Sequence, residues 1–245
     1  MRDFNAESKP LQSKAYDYHF DDIVRQYMMK TFARYLSGGS ALELGCHEGE
    51  STVLLAEILP DLTVVEASSD AIAVARSRAP TSVKFINSTI EAAELQPQYD
   101  AIFLINTLEH IESTDLVLSK IRGWLKPRGQ FFVLVPNADA PSRQIAVMMG
   151  IIDTNNSVTA GEWAHGHRRT YSFDTLEADL RRNGFRIKHR GGLMFKALAN
   201  FQIDLALKHQ IIDDKYIEAI YQLGEIYPTF CASIYLVAEC DSQTR

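Results

Sequence analysis

The sequence predicts an α/β chain built on a doubly wound, mostly parallel sheet. Three observations carry this reading. Short apolar runs alternate with stretches of helical periodicity over residues 38–137. The runs, such as "AIFLIN" and "FFVLV", are apolar at consecutive positions, as strands covered on both faces require. The chain has 245 residues, 46% of them hydrophobic and 23% charged, which suits one core of the larger kind.

Residues 1–15 are polar and predict no packed element. Over residues 16–36, Phe20, Ile23, Val24, Tyr27, Met28, Phe32 and Tyr35 recur at helical spacing, and "SGG" ends the helix. "SALELG" reads as a strand, "GESTVLLAEIL" as a helix and "LTVVEAS" as a strand. "SDAIAVARSRA" reads as a helix with Ser69 or Asp70 as N-cap. "VKFINS" and "YDAIFLIN" are strands, "STDLVLSKIRGWL" is a helix, and the turn "KPRG" leads into the strand "GQFFVLVPN". Right-handed crossovers place these helices on both faces of the sheet.

After Asn137 the rhythm changes. Residues 138–171 read as an insertion, and "SFDTLEADLRRNGF" restores a helix with Ser172 as N-cap and Gly184 just past its end. "FRIKHRGG" and "TFCASIYLVAEC" supply two more strands, the last expected to run antiparallel. Between them lies a mostly helical stretch, 197–226, within a second insertion bounded at 193–228. Insertions of this length usually cover a site or form an interface, so a homodimer through them is one expectation. Residues 1–245 are read as a single domain.

Composition narrows the function. The formal net charge is −6 and the pairs at 168–169 and 181–182 are isolated, so no nucleic-acid footprint is expected. Cys46, Cys231 and Cys240 are too few and too scattered for a disulfide framework or a zinc knuckle. An odd count with no signal-peptide core in the first twenty residues leads to the expectation of a cytoplasmic protein. No apolar run approaches the roughly 18 residues of a membrane helix, so no membrane partner is expected.

The stretch "ALELGCHEGES" raises the question of a ligand. Gly45 and Gly49 bracket a turn after the first strand, and the next helix begins near Glu50. A dinucleotide fingerprint would need glycine where His47 and Glu50 stand, and Glu50 is a poor neighbour for a pyrophosphate. Glu43 places a carboxylate at the strand end, able to hold a cationic group or order water. Glu66 closes the second strand roughly 20 residues beyond the first glycine, where an acid accepts ribose hydroxyls. A ribose and a cationic amino-acid tail without phosphate describe S-adenosylmethionine.

"LELGCHEG", "VVEAS", "YDAIFLINTLEH" and "LKPRGQFFVLVPN" together resemble the class I S-adenosylmethionine-dependent methyltransferases, over about four-tenths of the chain. The resemblance implies a Rossmann-like sheet with S-adenosylhomocysteine as product. It implies a cofactor site of Glu43, Gly45, Cys46, His47, Gly49, Glu66, Ala67, Ser88, Thr89, Ile90 and Asn106, over which Tyr16 of the front helix is expected to close. His47 departs from the family's middle glycine; Ser88 or Thr89 stands where an aspartate often meets the adenine. Glu66 is implied as the ribose ligand.

Two histidines are candidates for the chemistry. His110 follows the fourth strand and overlooks the crevice at the open edge of the sheet. His167 ends the first insertion in "HGHRRTY". An imidazole titrating near neutrality suits a general base. His167 is read as the base and His110 as orienting the acceptor. His165, Arg168, Arg169, Tyr18 and His19 are read as acceptor-binding, with residues 16–36 forming a helical lid. No acidic or cysteine partner follows His165 and His167 at ligand spacing, so no metal is expected. The sequence therefore reads as an enzyme transferring a methyl group to an oxygen or nitrogen of a small polar molecule. A looser resemblance of "GHRRTYSFDTLEADLRRNGF" and "QLGEIYPTFCASIYLV" implies a sugar or secondary-metabolite intermediate. The rivals are a nicotinamide-dependent oxidoreductase and a non-catalytic cofactor-binding module.

Overall fold

The computed structural model describes residues 4, 5 and 19–241. The fold begins with α1 (His19–Phe32), β1 (Ser40–Leu44), α2 (Glu50–Ile58), β2 (Asp61–Glu66), α3 (Ser69–Arg78), β3 (Lys84–Asn87) and β4 (Tyr99–Ile105). It continues through a 3₁₀ turn (Leu108–His110), α4 (Thr114–Trp124), β5 (Leu125–Pro136), α5 (Pro141–Met148), α6 (Ala160–Ala164), α7 (Phe173–Arg182) and β6 (Phe185–Phe195). Helices α8 (Asn200–Lys208) and α9 (Asp214–Ile226), a 3₁₀ turn (Pro228–Phe230) and β7 (Cys231–Cys240) complete it. The strands form one seven-stranded sheet in the order β3-β2-β1-β4-β5-β7-β6. β7 runs antiparallel to both its neighbours, and the pairings among β1 to β5 are parallel.

Consecutive apolar residues on the central strands serve two cores. On one face Leu42, Leu44, Ile102, Leu104 and Val133 pack with Val117, Leu118 and Ile121 of α4 and Leu176 and Leu180 of α7. On the other, Ala41, Phe103, Phe132 and Leu134 pack with Phe20, Met28 and Phe32 of α1 and Ile217, Ile220 and Tyr221 of α9. The ring of Phe103 stacks on Phe132 at 4.8 Å. Period-two alternation has vanished because each residue, whichever way it points, meets a helix layer.

Helix α1 is tied to the second insertion. The Phe20 amide donates to Asp204 Oδ1 (2.9 Å), Asn200 Nδ2 to Asp21 Oδ1 (2.6 Å), and the Tyr27 hydroxyl to Glu218 (2.8 Å). Its apolar face is thus committed to the core. The predicted lid residue His19 lies exposed at the start of α1, while Tyr16 and Tyr18 lie outside the described residues.

Three local expectations shift. The N-cap of α3 is Ser68, whose hydroxyl accepts from the Ala71 amide (3.1 Å), rather than Ser69 or Asp70. "KPRG" is not a separate turn before a strand. It lies within β5, which breaks register against β4 between Tyr99 and Ala101. The second insertion starts later than residue 193, because pairing with β7 carries β6 on to Phe195. Ser172 caps α7 as expected, with a reciprocal Thr175 bond, and Gly184 follows that helix at φ +77°.

Candidate active site

The carboxyl ends of β1, β2, β3 and β4 deliver their loops to one edge of the sheet. Gly45 leaves β1 at φ +76°, donating its amide to Val65 O (2.8 Å). A Cβ there would come within 2.7 Å of the Thr107 side chain, so the loops after β1 and β4 touch only because residue 45 is glycine. Gly49, at φ +87°, lets α2 start beside α3; a Cβ would fall 2.8 Å from that of Ala75. Between them His47 is exposed at φ +50°.

Glu66 holds this loop. Its carboxylate accepts from the His47 amide (3.0 Å) and from the Ser68 amide (2.8 Å). Its backbone carbonyl accepts from the Ser88 amide (3.0 Å), so the loop after β3 hangs from the same residue. Glu48 and Glu50, also at the loop, are engaged by Arg78 at 3.0 and 2.7 Å. The acids beside the turn therefore leave no net attraction for a phosphate, while the half-buried Glu66 keeps lone pairs for hydroxyl donors. That acceptor set fits a ribose with an uncharged or cationic substituent.

Several predicted cofactor residues sit differently from a simple lining. Glu43 is 1% exposed and accepts from the Thr52 hydroxyl (2.6 Å); burial pushes its carboxyl up to about 8, so near neutrality it is protonated. It is enclosed beneath the loop rather than presented as a free carboxylate. Cys46 is likewise buried, and burial raises its thiol pKa far above the ordinary value. The Ser88 hydroxyl donates to Thr89 O (2.9 Å), and the Thr89 hydroxyl accepts from the Ala92 amide (3.1 Å). Both hydroxyls are thus engaged with backbone. Ile90 is buried, Ala67 half-buried, and Asn106 exposed at φ +46°.

The two catalytic candidates meet. The rings of His110 and His167 lie 4.5 Å apart, edge to face. His110 ends the 3₁₀ turn after β4; His167 returns from the first insertion, where Asn137 bridges to Tyr171 and the Arg168 amide donates to Glu109 O (2.9 Å). The insertion is braced by Arg143, which donates to Glu162 Oε1 (2.5 Å) and to the carbonyls of Asn155 (2.9 Å) and Ser157. Glu162 in turn accepts the His167 amide on its carbonyl (3.0 Å). Burial pushes the His167 pKa below the ordinary imidazole value, opposed by Glu162 and reinforced by His165 and Arg143. The ring is therefore neutral near pH 7, as a base or a metal ligand must be. His165 caps α6, half-buried, two residues before His167.

The predicted acceptor residues divide. Arg169 donates to the carbonyls of Ile111 (2.9 Å) and Glu112 (3.1 Å) and to the Thr114 hydroxyl (3.3 Å), which places it as a brace behind the 3₁₀ turn. Arg168 has its Nε buried with no hydrogen-bond partner among the described residues. One residue escaped the sequence reading altogether. Glu109 is 2% exposed, and burial pushes its carboxyl up to about 8. The only signal was its place beside His110 at the end of an apolar strand.

The model of a methyltransferase domain matches residues 16–190 of this chain. The chain belongs to that methyltransferase family. Two relatives are ubiquinone biosynthesis O-methyltransferases. The one from Sinorhizobium fredii is 25% identical over 169 residues, 67% of this chain and 67% of that protein. The one from Photobacterium profundum is 26% identical over 203 residues, 81% and 82%. Among solved structures, a 1,6-didemethyltoxoflavin N1-methyltransferase of Burkholderia thailandensis, described with bound S-adenosylhomocysteine, superposes with a TM-score of 0.62. It is 14% identical, over 91% of this chain and 80% of that one. In this methyltransferase the doubly wound sheet and antiparallel last strand expected from sequence are present. No helix among the described residues is long and apolar enough to cross a membrane. A groove of about 590 Å³ lined by Pro127, Arg128, Arg186, Lys188 and Glu239 lies at the other edge of the sheet, away from the histidines.

Proposed function

We propose that this methyltransferase transfers the methyl group of S-adenosylmethionine to an oxygen or nitrogen of a small polar molecule, a sugar or secondary-metabolite intermediate. The observation that carries the reading is the pairing of a Glu66-centred loop with two imidazoles on the same sheet edge. Glu66 would accept the ribose hydroxyls, and the backbone of residues 45–49 would face the amino-acid tail. The backbone near Thr89 and Ile90 would border the adenine. Family membership and the O- and N-methyltransferases among the similar proteins support it.

Once held by Glu66 and the turn of residues 45–49, the donor would supply an electrophilic methyl on a positively charged sulfur, and S-adenosylhomocysteine would remain after transfer. The chain's own part is alignment and proton removal. His167, neutral at pH 7 and half-buried, would take the acceptor's proton, and His110, against it, would orient the acceptor. The braced insertion keeps the pair together.

Titration calorimetry with S-adenosylhomocysteine, NAD and NADP tests the reading. Only S-adenosylhomocysteine is expected to bind. Glu66→Ala should weaken it by about 10- to 100-fold, from lost charge-assisted hydrogen bonds of roughly 1.5–3 kcal/mol. Unchanged affinity would remove Glu66 from the ribose site. A non-catalytic binding module would show the same affinities but no methyl transfer to any hydroxyl or amine acceptor.

A further inference from the structure

Glu109 is the group that the roles given to His167 and His110 leave unexplained. Among the described residues neither of its carboxyl oxygens has a hydrogen-bond partner, although both are buried. Buried polar atoms without partners are few in folded proteins, and each asks for a cause. Protonating this carboxyl does not supply one, since the acidic hydroxyl then lacks an acceptor. Two imidazoles stand beside it: one ligand atom from each of Glu109, His110 and His167 lies within 4.8 Å of the others.

We propose that Glu109, His110 and His167 form a site for a divalent transition metal of the zinc class, with an open position that takes an acceptor hydroxyl. This rests on the methyl-transfer reading above and changes one part of it: with an ion bound, the metal takes over from His167 the task of loosening the acceptor's proton. Two nitrogens and one carboxylate oxygen suit zinc or cobalt better than magnesium or calcium, which prefer oxygen ligands. Three protein ligands with a vacant fourth position is the pattern of catalytic rather than structural zinc. Bonds of about 2.0–2.2 Å put tetrahedral ligand atoms roughly 3.4 Å apart, so an ion would draw the three side chains inward by about an ångström. The backbone already supports that closure. Glu109 and His110 share one 3₁₀ turn, and the Arg168 amide fastens the His167 segment to Glu109 O. The half-buried imidazoles leave a route from solvent, while the buried carboxylate closes the inner end.

The site also selects an acceptor. A metal-bound oxygen releases its proton more readily, as bound water does when its pKa falls from about 15.7 to about 7. The deprotonated oxygen keeps lone pairs to attack the methyl carbon, whereas an amine bound to the metal has none left. The geometry therefore favours a hydroxyl acceptor. With the ion in place the imidazoles are its ligands. The hydroxyl proton leaves to solvent, the oxygen–carbon bond forms, and the carbon–sulfur electron pair stays on sulfur.

The test uses the full chain stripped with a chelator, titrated with ZnCl2 by calorimetry and with CoCl2 by visible absorption. One ion per chain is expected, with the visible bands of nitrogen- and oxygen-ligated cobalt. Glu109→Gln and His167→Asn should each weaken zinc by about 100-fold and leave S-adenosylhomocysteine affinity within a few fold. Absence of stoichiometric binding, or unchanged zinc affinity in both variants, overturns the site. Should either variant misfold, the parent decides: zinc raising its unfolding temperature where magnesium does not supports the site, and no zinc effect overturns it. The donor reading fails separately, if S-adenosylhomocysteine does not bind the parent while zinc does.

Discussion

Replacing Glu43 by glutamine measures how a buried acid shapes the stability of this fold. Glu43 lies in the centre of the sheet, 1% exposed, with its carboxyl raised from 4.5 to about 8. Burial is the main cause; the Thr52 hydroxyl opposes it, while Glu66 and Glu50 add to it. Between these values the folded chain holds a proton that the unfolded chain releases. Stability therefore falls as pH rises through this window, by up to about 1.4 kcal/mol per pH unit for one group. By pH 7 the accumulated cost is on the order of 3 kcal/mol. Glutamine has the same shape, does not titrate, and can accept the Thr52 hydroxyl on its amide oxygen. Relative to the parent, Glu43→Gln should gain little near the lower end of the window and about 3 kcal/mol near pH 7. For a chain of this size that is roughly 6–12 °C in unfolding temperature. The assay is thermal or urea unfolding of ligand-free parent and variant across that window. Parallel stability curves would show that Glu43 is ionised in the fold and that burial does not govern it.

The remaining predictions concern the turn and the base. His47→Gly should change stability by less than about 1 kcal/mol, since relief at φ +50° offsets the added chain entropy. The variant keeps the amide that Glu66 accepts, so S-adenosylhomocysteine affinity should stay within a few fold. A loss above tenfold in calorimetry would mean that the imidazole touches the ligand. Gly49→Ala should cost on the order of 2 kcal/mol, because it adds left-handed strain to a contact with Ala75, and unfolding at the parent's temperature would refute this. Once an acceptor is found, His167→Asn should lower turnover about 100-fold or more and spare donor binding. Parent turnover should decline on the acid side only below the ordinary imidazole pKa, and an unchanged rate in the variant would exclude His167.

Sequence by itself determined the layer order of this protein. Consecutive apolar residues in "AIFLIN" and "FFVLV" can be buried only between two helix layers, and the spacing from Gly45 to Glu66 follows from one strand–helix–strand unit. These are local consequences of chain geometry. Ser172 and Gly184 were legible for the same reason, since caps act within a few residues. The tertiary structure decided everything that depends on two distant segments meeting. Glu43 reads as a free strand-end carboxylate, but α2 brings Thr52 over it and excludes water. No acidic residue follows "HGH" at ligand spacing, yet the fold lays His167 beside Glu109 and His110. Arg169 reads as a substrate clamp until the carbonyls of Ile111 and Glu112 arrive to receive it. Whether a charged side chain faces solvent, ligand or another residue depends on the desolvation and partners that packing supplies, and no short stretch of chain carries that information.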